Sequence, residues 1–408
     1  RLQEEQRQKE EARLQEEQRQ KEEARLQEER QKEEEQQKEE LLLQEEQQKE
    51  EARLQEERQK EELLLQEEQQ KEEGRLQEEE RQKETSRLQE ENNNIIIKPN
   101  DKIYIQGESA KNDWIIDTLK EEYESNNIEA IVKDYHQADI IWLLADYNYK
   151  KIPIEILKKK YVITTIHHID LNKIHEKNFK DLNKFTNKYH TISEIGYNEL
   201  KKHTNLPIIK IPFWINPNTW FNIEDKDKIK EKLKINKNTF LIGSFQRDTE
   251  GKSISKNKFV PKKSKGPDIL FKVIKKYQEK YPNLEIILAG YRRQYIINLL
   301  KENKIKYYYF ENIEKNILNE LYNILDRYVV SSRVEGGPRA IVECAITKTP
   351  IISTKVGIAE EILSKESIYD NVDEVLNCKI NIEYAYNNVN KLTILKCMNK
   401  FNSELLKI

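Results

Sequence analysis

Ser331-Ser332-Arg333-Val334-Glu335-Gly336-Gly337-Pro338-Arg339-Ala340-Ile341-Val342-Glu343-Cys344-Ala345, continued by Thr349-Pro350-Ile351-Ile352-Ser353-Thr354-Lys355-Val356-Gly357, is the stretch on which the reading of this chain turns. A buried strand ends near Ser332, Gly336-Gly337-Pro338 makes a turn, and a helix starts at about Pro338. A helix start with free backbone N–H groups beside exposed glycines suits a phosphate. Glu335 precedes the turn, and Glu343 follows about two helical turns later on the side facing a cleft. Two carboxylates so placed accept hydroxyl hydrogen bonds from the two ends of a sugar nucleotide. The Glu-x7-Glu spacing alone means nothing, because surface helices produce it constantly; the turn and the flanking strands give it weight.

Outward from this stretch, short β-rich runs alternate with helical periods. The pattern predicts strands at 102–105, 130–133, 140–144, 161–166, 189–192 and 208–211, then at 240–245, 284–289, 306–310, 328–331 and 350–354. Between them lie amphipathic stretches such as 267–281, where Ile269, Leu270, Val273, Ile274 and Tyr277 repeat at helical spacing behind Pro267. Alternating strands and helices predict an α/β fold of parallel sheets covered on both faces. About 315 residues exceed one typical core, so two such domains are expected. Their boundary is expected in the polar stretch 222–238, after Ile211-Pro212-Phe213-Trp214. The carboxyl ends of strands facing each other across a cleft are where such sheets bind ligands.

These residues resemble the donor-binding signature of the family 4 (group 1) glycosyltransferases with the GT-B fold. The likeness extends upstream to Gly243-Ser244-Phe245-Gln246-Arg247, Lys265-Gly266-Pro267, Leu288-Ala289-Gly290 and the segment 211–221. Clear matches span roughly 207–363, whereas 95–206 matches only in its pattern of elements. The resemblance implies two Rossmann-like doubly wound domains facing a cleft: an acceptor domain at 93–222, a nucleotide-sugar donor domain at 223–385, and a C-terminal helix at 386–408 that crosses back to the first domain. It implies an enzyme that moves a sugar from a nucleotide sugar to a glycan, protein or lipid acceptor, with retention at the anomeric carbon and with neither metal nor cofactor. Arg247 and Lys265 would neutralise the donor diphosphate, Glu343 would hold the ribose hydroxyls, and Glu335 those of the transferred sugar. Gly336 and Gly337 would let the backbone approach the donor, and His167, after the strand 161–166, would face the cleft near the acceptor. The rival readings are a sugar-nucleotide epimerase of the same fold and a scaffold with a vestigial site.

The sequence departs from the family in three places. Pro338 and Arg339 follow Gly337, where the family often carries an aromatic. A Lys/Ser-rich insertion, 248–264, separates Arg247 from Lys265 and is expected to be mobile. A single Gly107 replaces the usual glycine-rich loop at the first strand. His168, Trp214 and Asn216 are weaker candidates for the cleft; interdomain packing explains the last two equally well. Lys150, Lys151 and Lys158 to Lys160 flank apolar Ile154, Ile156 and Leu157, a pattern that permits peripheral contact with an anionic membrane and also describes a solvated helix.

The amino-terminal segment is a different physical object. Of the 71 basic and 74 acidic residues, 19 and 33 fall in 1–91, which leaves this segment at −14 and the remainder at +11. Arg-Leu-Gln-Glu-Glu recurs from Arg1 onward, and Glu precedes Lys by four residues at eight places from Glu5/Lys9 to Glu79/Lys83, the favourable order on a helix surface. The repeat is expected over 1–92 as a long charged helix, about 135 Å if unbroken, or a coiled coil through which copies self-associate. Its leucines at 2, 14 and 26 wind around the helix instead of lining one face. The +11 balance comes with no nucleic-acid reading motif, so no nucleic-acid partner is expected. Three cysteines without ligand spacing argue against a disulfide framework or zinc site and for a reducing, cytoplasmic compartment.

Overall fold

The computed structural model describes residues 101–107, 114–169, 176–251 and 259–406, together with scattered amino-terminal positions, among them 16–23. The chain forms two compact units, Arg1–Arg81 and Gln82–Ile408. In the first, residues 16–23 are helical, and Lys21 Nζ lies 3.1 Å from Glu17 Oε1 one turn away. The continuous rod and the coiled coil expected from the repeat lie outside the described residues.

The second unit holds two five-stranded parallel sheets. The first comprises β1 (Ile103–Gln106), β2 (Ile140–Leu143), β3 (Tyr161–Ile166), β4 (Lys188–Thr191) and β5 (Ile208–Lys210) in that spatial order. The second comprises β6 (Phe240–Ser244), β7 (Leu284–Ala289), β8 (Tyr307–Phe310), β9 (Arg327–Val330) and β10 (Ile351–Ser353), ordered β10-β9-β6-β7-β8. Parallel neighbours need crossover connections, and the amphipathic helices supply them. β2, β3 and β4 are buried at every residue, and β2 and β3 accordingly read as unbroken apolar or β-branched runs, whereas β4 buries Lys188 and His190.

One expected strand is almost absent. Residues 130–133 shrink to a single parallel bridge, Ile131 to Ile103, closed by Ile103 N–H to the Ala130 carbonyl at 2.8 Å and Val132 N–H to the Ile103 carbonyl at 3.0 Å. Asp134, His136 and Gln137 follow at once, and an apolar run this short cannot prolong an edge strand. The remnant still fixes the topology. The chain pairs with one side of β1 at Ile131 and then returns to the other side with β2. In the second sheet the chain winds outward from β6 to β8 and returns to the other side of β6 with β9. Each sheet thus has a switch point, β1/β2 in one and β6/β9 in the other, and the carboxyl ends of strands at such points are where open α/β sheets bind ligands.

The stretch 222–238 is not a bare linker. It contains the helix Lys226–Lys232, capped by Asp225, whose side chain accepts from Lys228 N–H at 3.0 Å, and it buries Ile229 and Ile235 in the core of the second sheet. At the other end, the helix Ile394–Leu405 follows the second sheet in sequence but packs on the first. Ile394, Met398, Phe401 and Leu405, spaced to share one helix face, join the core around Ile105, Trp142 and Trp214. The two chain crossings lie side by side, with Ile215 bridged to Thr393.

Phe401 is the centre of that docking: its ring lies 5.1 Å from Trp214, 5.8 Å from Trp142 and 6.2 Å from Phe213. Phe401→Ala is expected to cost the first sheet about 3–5 kcal/mol, as for other buried aromatic truncations. Denaturant unfolding followed by tryptophan fluorescence measures it, and an unchanged midpoint would mean that the helix does not brace this sheet.

Candidate active site

The loops after β6 and β9 leave the second switch point side by side. Gln246, just beyond β6, donates to the Lys265 carbonyl at 2.9 Å and to Ser331 Oγ at 3.0 Å, and its own carbonyl oxygen accepts from Ser332 Oγ at 3.0 Å. Arg333 and Val334 donate backbone N–H groups to the Ser264 carbonyl. The Arg333 guanidinium grips Asp268 bidentately at 2.8 and 2.6 Å, which holds that carboxyl below its usual range. Gly266 adopts φ +57°, and a Cβ there would meet the Ser331 carbonyl oxygen at 1.9 Å, so only glycine lets the Lys265 turn lie on the β9 loop.

These constraints bring Lys265 to Glu335. Lys265 Nζ bonds Glu335 Oε1, which also accepts from Ser332 Oγ at 3.0 Å. Burial alone would push the Glu335 carboxyl up. The Lys265 charge and hydrogen bond, with His168 and Ser332, outweigh it and leave Glu335 below its ordinary value. Glu343 has the opposite balance. It is 3% exposed in the helix Arg339–Ile346; its Oε2 accepts from the Tyr322 hydroxyl at 2.7 Å, and Arg339 Nε stands 3.9 Å from Oε1. Burial dominates here and raises the carboxyl despite Arg339, Tyr322 and Lys315.

The first sheet meets this site at the turn. The Gly336 backbone lies against His167, and a Cβ at Gly336 would fall 1.3 Å from the His167 carbonyl oxygen, so no other residue fits. A Cβ at Gly337 would meet only the tip of the Ile192 side chain, at 2.8 Å. Backbone of the opposing half thus lies against Gly336, whereas Gly337 faces a side-chain tip that can move. A void of about 20 Å³ remains beside Gly337, among Phe213, Arg339 and Ile358. Arg339 adds a polar tie, Nη1 to the Trp214 carbonyl at 2.8 Å. A larger open cavity, about 900 Å³, carries Lys226, Lys348 and Lys379 against Glu224, Glu366 and Glu383 and none of the residues above; its balanced charges give it no anion preference.

The remaining candidates fall into place unevenly. His167 is half-buried, with Nε2 2.7 Å from the Leu144 carbonyl and its ring stacked on Phe213. His168, the weaker candidate, keeps part of its surface exposed, yet desolvation lowers its imidazole below the ordinary value, with Glu335 opposing and Lys265 adding to that shift. Trp214 Nε1 and Asn216 Nδ2 both donate to the Glu122 carboxylate, at 2.8 and 3.1 Å, which is the packing role. Arg247 is half-exposed; its Nε donates to the Thr249 carbonyl at 3.1 Å, and Nη2 lies 3.9 Å from Glu250.

Sequence reasoning missed Lys262 and Tyr322. Burial, then Lys265 and Arg247, depress the Lys262 ammonium, so three cations crowd one place. It also expected a mobile 248–264 insertion. The ends are fixed instead: Thr249 pairs with Pro261 as an antiparallel bridge, Lys262 N–H donates to the Asp248 carbonyl at 2.7 Å, and Asp248 and Thr249 are both 1% exposed. Residues 252–258 lie outside the described residues. Paired β arms leave no composition signal within a Lys/Ser-rich run.

The two carboxylates make opposite contributions to stability. The depressed Glu335 stabilises the fold above the ordinary carboxylate pKa, and this is lost as pH falls through its lowered value. The raised Glu343 costs stability when ionised at neutral pH, and the cost is relieved as pH falls through its raised value. Thermal melts of the chain are therefore expected to place Glu335→Gln a few degrees below the parent at pH 7 and Glu343→Gln level with or above it, both gaps closing in acid. A loss of equal size in both variants at pH 7 would contradict this assignment.

Residues 225–381, which include Arg247, Lys265, Glu335 and Glu343, match the family of glycosyl transferases group 1. An uncharacterised glycosyltransferase of Methanocaldococcus jannaschii is 26% identical over 299 residues, 67% of this chain and 69% of that protein. Among solved structures, Anabaena HepE in complex with UDP and glucose superposes with a TM-score of 0.59 at 14% identity, covering 75% of this chain and 99% of that one. Sucrose-phosphate synthase from Thermosynechococcus elongatus gives 0.50 at 14%, covering 71% and 75%. The chain carries a glycosyl transferases group 1 domain on an α/β GT-B-like fold of two parallel-sheet domains, and it is a glycosyltransferase.

Proposed function

We propose that the cleft binds a nucleotide sugar and transfers its glycosyl group, with retention and without a metal, to an acceptor hydroxyl. The observation that carries this reading is the pairing of a buried carboxylate, Glu343, with a partly buried one, Glu335, on either side of the Gly336-Gly337-Pro338 turn, with Lys265, Lys262 and Arg247 gathered at one end. Glu343 takes the ribose hydroxyls through Oε1, since Oε2 is held by Tyr322. Glu335 takes the hydroxyls of the transferred sugar. The three cations take the diphosphate.

The charge arrangement suits departure of a nucleoside diphosphate. Cations fixed before the ligand arrives stabilise negative charge as it develops, without reorganisation cost at the moment of reaction. This supplies the electrostatic help that a divalent ion gives in other sites. The likeness to a protein solved with UDP and glucose favours UDP as the carrier.

Thermal shift of the full chain against UDP, GDP and ADP sugars, with and without magnesium, tests the reading. One carrier is expected to stabilise at saturating concentration, by about 2.7 kcal/mol at a hundred times its dissociation constant, independently of magnesium and not in Glu343→Ala. Silence across the panel, or transfer that survives Glu335→Ala with Glu343→Ala, would overturn it.

A further inference from the structure

Behind the cation loop lies a fully buried guanidinium. Arg293 is 0% exposed, and its Nε donates to Asp248 Oδ2 at 2.6 Å. Its Nη1 donates to the Ser244 and Ala289 carbonyls, the latter at 3.0 Å, and Nη2 to Ser244 Oγ at 3.3 Å. One side chain thus ties together the carboxyl ends of β6 and β7 and the residue next to Arg247. The neighbouring backbone doubles the tie: Asp248 and Thr249 N–H groups both donate to the Arg292 carbonyl, at 3.2 and 3.1 Å. Thr249 Oγ1 links Asp248 Oδ1 at 2.8 Å to the Tyr295 N–H at 2.9 Å.

Asp248 is the node of this arrangement. It follows Arg247 in sequence, its carboxylate holds Arg293, and its carbonyl accepts the Lys262 N–H. Fixing Asp248 therefore fixes where two of the three cations stand. A buried ion pair is a poor means of stabilising a core, because well-packed apolar residues do as well or better. What an arginine adds is a planar fork of donors with one geometry. We propose that Arg293 is a positioning residue for the donor diphosphate: through Asp248 it presents Arg247 and Lys262 to the phosphates. This rests on the reading of the cleft as a nucleotide-sugar site.

The experiment titrates the full chain, Arg293→Lys and Asp248→Asn by calorimetry with whichever of UDP, GDP and ADP binds best, and with the matching nucleoside. Arg293→Lys keeps the charge and loses the fork; Asp248→Asn keeps the bonds to Ser244 and Ala289 and loses the carboxylate. In either variant the diphosphate is expected to bind about tenfold more weakly, the scale of one charge-assisted hydrogen bond, while the nucleoside, held near Glu343, binds as before. A loss shared equally by both ligands would mean general structural damage and would overturn the proposal, as would unchanged diphosphate binding. If Arg293→Lys does not fold, Asp248→Asn decides on the same two readings. Wild-type protein that binds none of the three diphosphates would overturn the reading of the site, and this inference with it.

Discussion

The contact between Gly336 and the carbonyl of His167 is the constraint around which the molecule is arranged. A backbone-to-backbone approach of this kind admits no side chain, and it joins the loop after β3 to the loop after β9, one from each sheet. Both candidate carboxylates lie within a few residues of it. Glu335 precedes it, Glu343 starts one turn into the helix that follows, and His168 sits on its other side. Polar ties accompany it: Arg339 to the Trp214 carbonyl, Lys315 to Thr118 Oγ1 at 2.8 Å, and Glu361, which accepts from the Glu194 N–H at 2.8 Å and stands 3.7 Å from Lys210. Two sheets held by a close backbone contact and a few polar ties form an interface that orients the site without sealing it.

Within that frame the charges are not arranged for stability. Glu335 is satisfied in the free chain by Lys265, whereas Glu343 is buried with its charge incompletely compensated, and Lys262 crowds Arg247 and Lys265 with its ammonium depressed. The proposed ligand, with a diphosphate at one end and hydroxyl donors at its flanks, would relieve the last two of these. Sites of this kind hold unfavourable electrostatics that the ligand resolves. Of the two supporting ion pairs, Arg293 with Asp248 is buried behind the site, whereas Arg333 with Asp268 lies at the surface.

Much of this was legible in the sequence, for identifiable reasons. β3 and β7 fall where their apolar runs lie, and the chain from β9 to Glu343 forms the strand, turn and helix that Gly-Gly-Pro announces. Parallel buried strands carry their signal in composition, so they are readable one at a time. The strand at 130–133 misled because Ile131 and Val132 look like a strand but contribute one bridge at a sheet edge, a matter of partners and not of propensity. The ordered arms of the 248–264 insertion, the third cation Lys262 and the clamp at Arg293 were invisible for a related reason. Each depends on residues distant in sequence, and Tyr291-Arg292-Arg293 reads as an ordinary basic turn until Asp248 is seen against it.

Whether one carboxylate holds each end of a nucleotide sugar is tested most directly by saturation-transfer NMR with the full chain. With UDP-glucose, or the corresponding GDP or ADP sugar if that carrier binds, saturation is predicted on both the ribose and the hexose protons, and excess free nucleoside diphosphate should displace it. Saturation confined to the base, or absent for all three sugar nucleotides, would contradict the account.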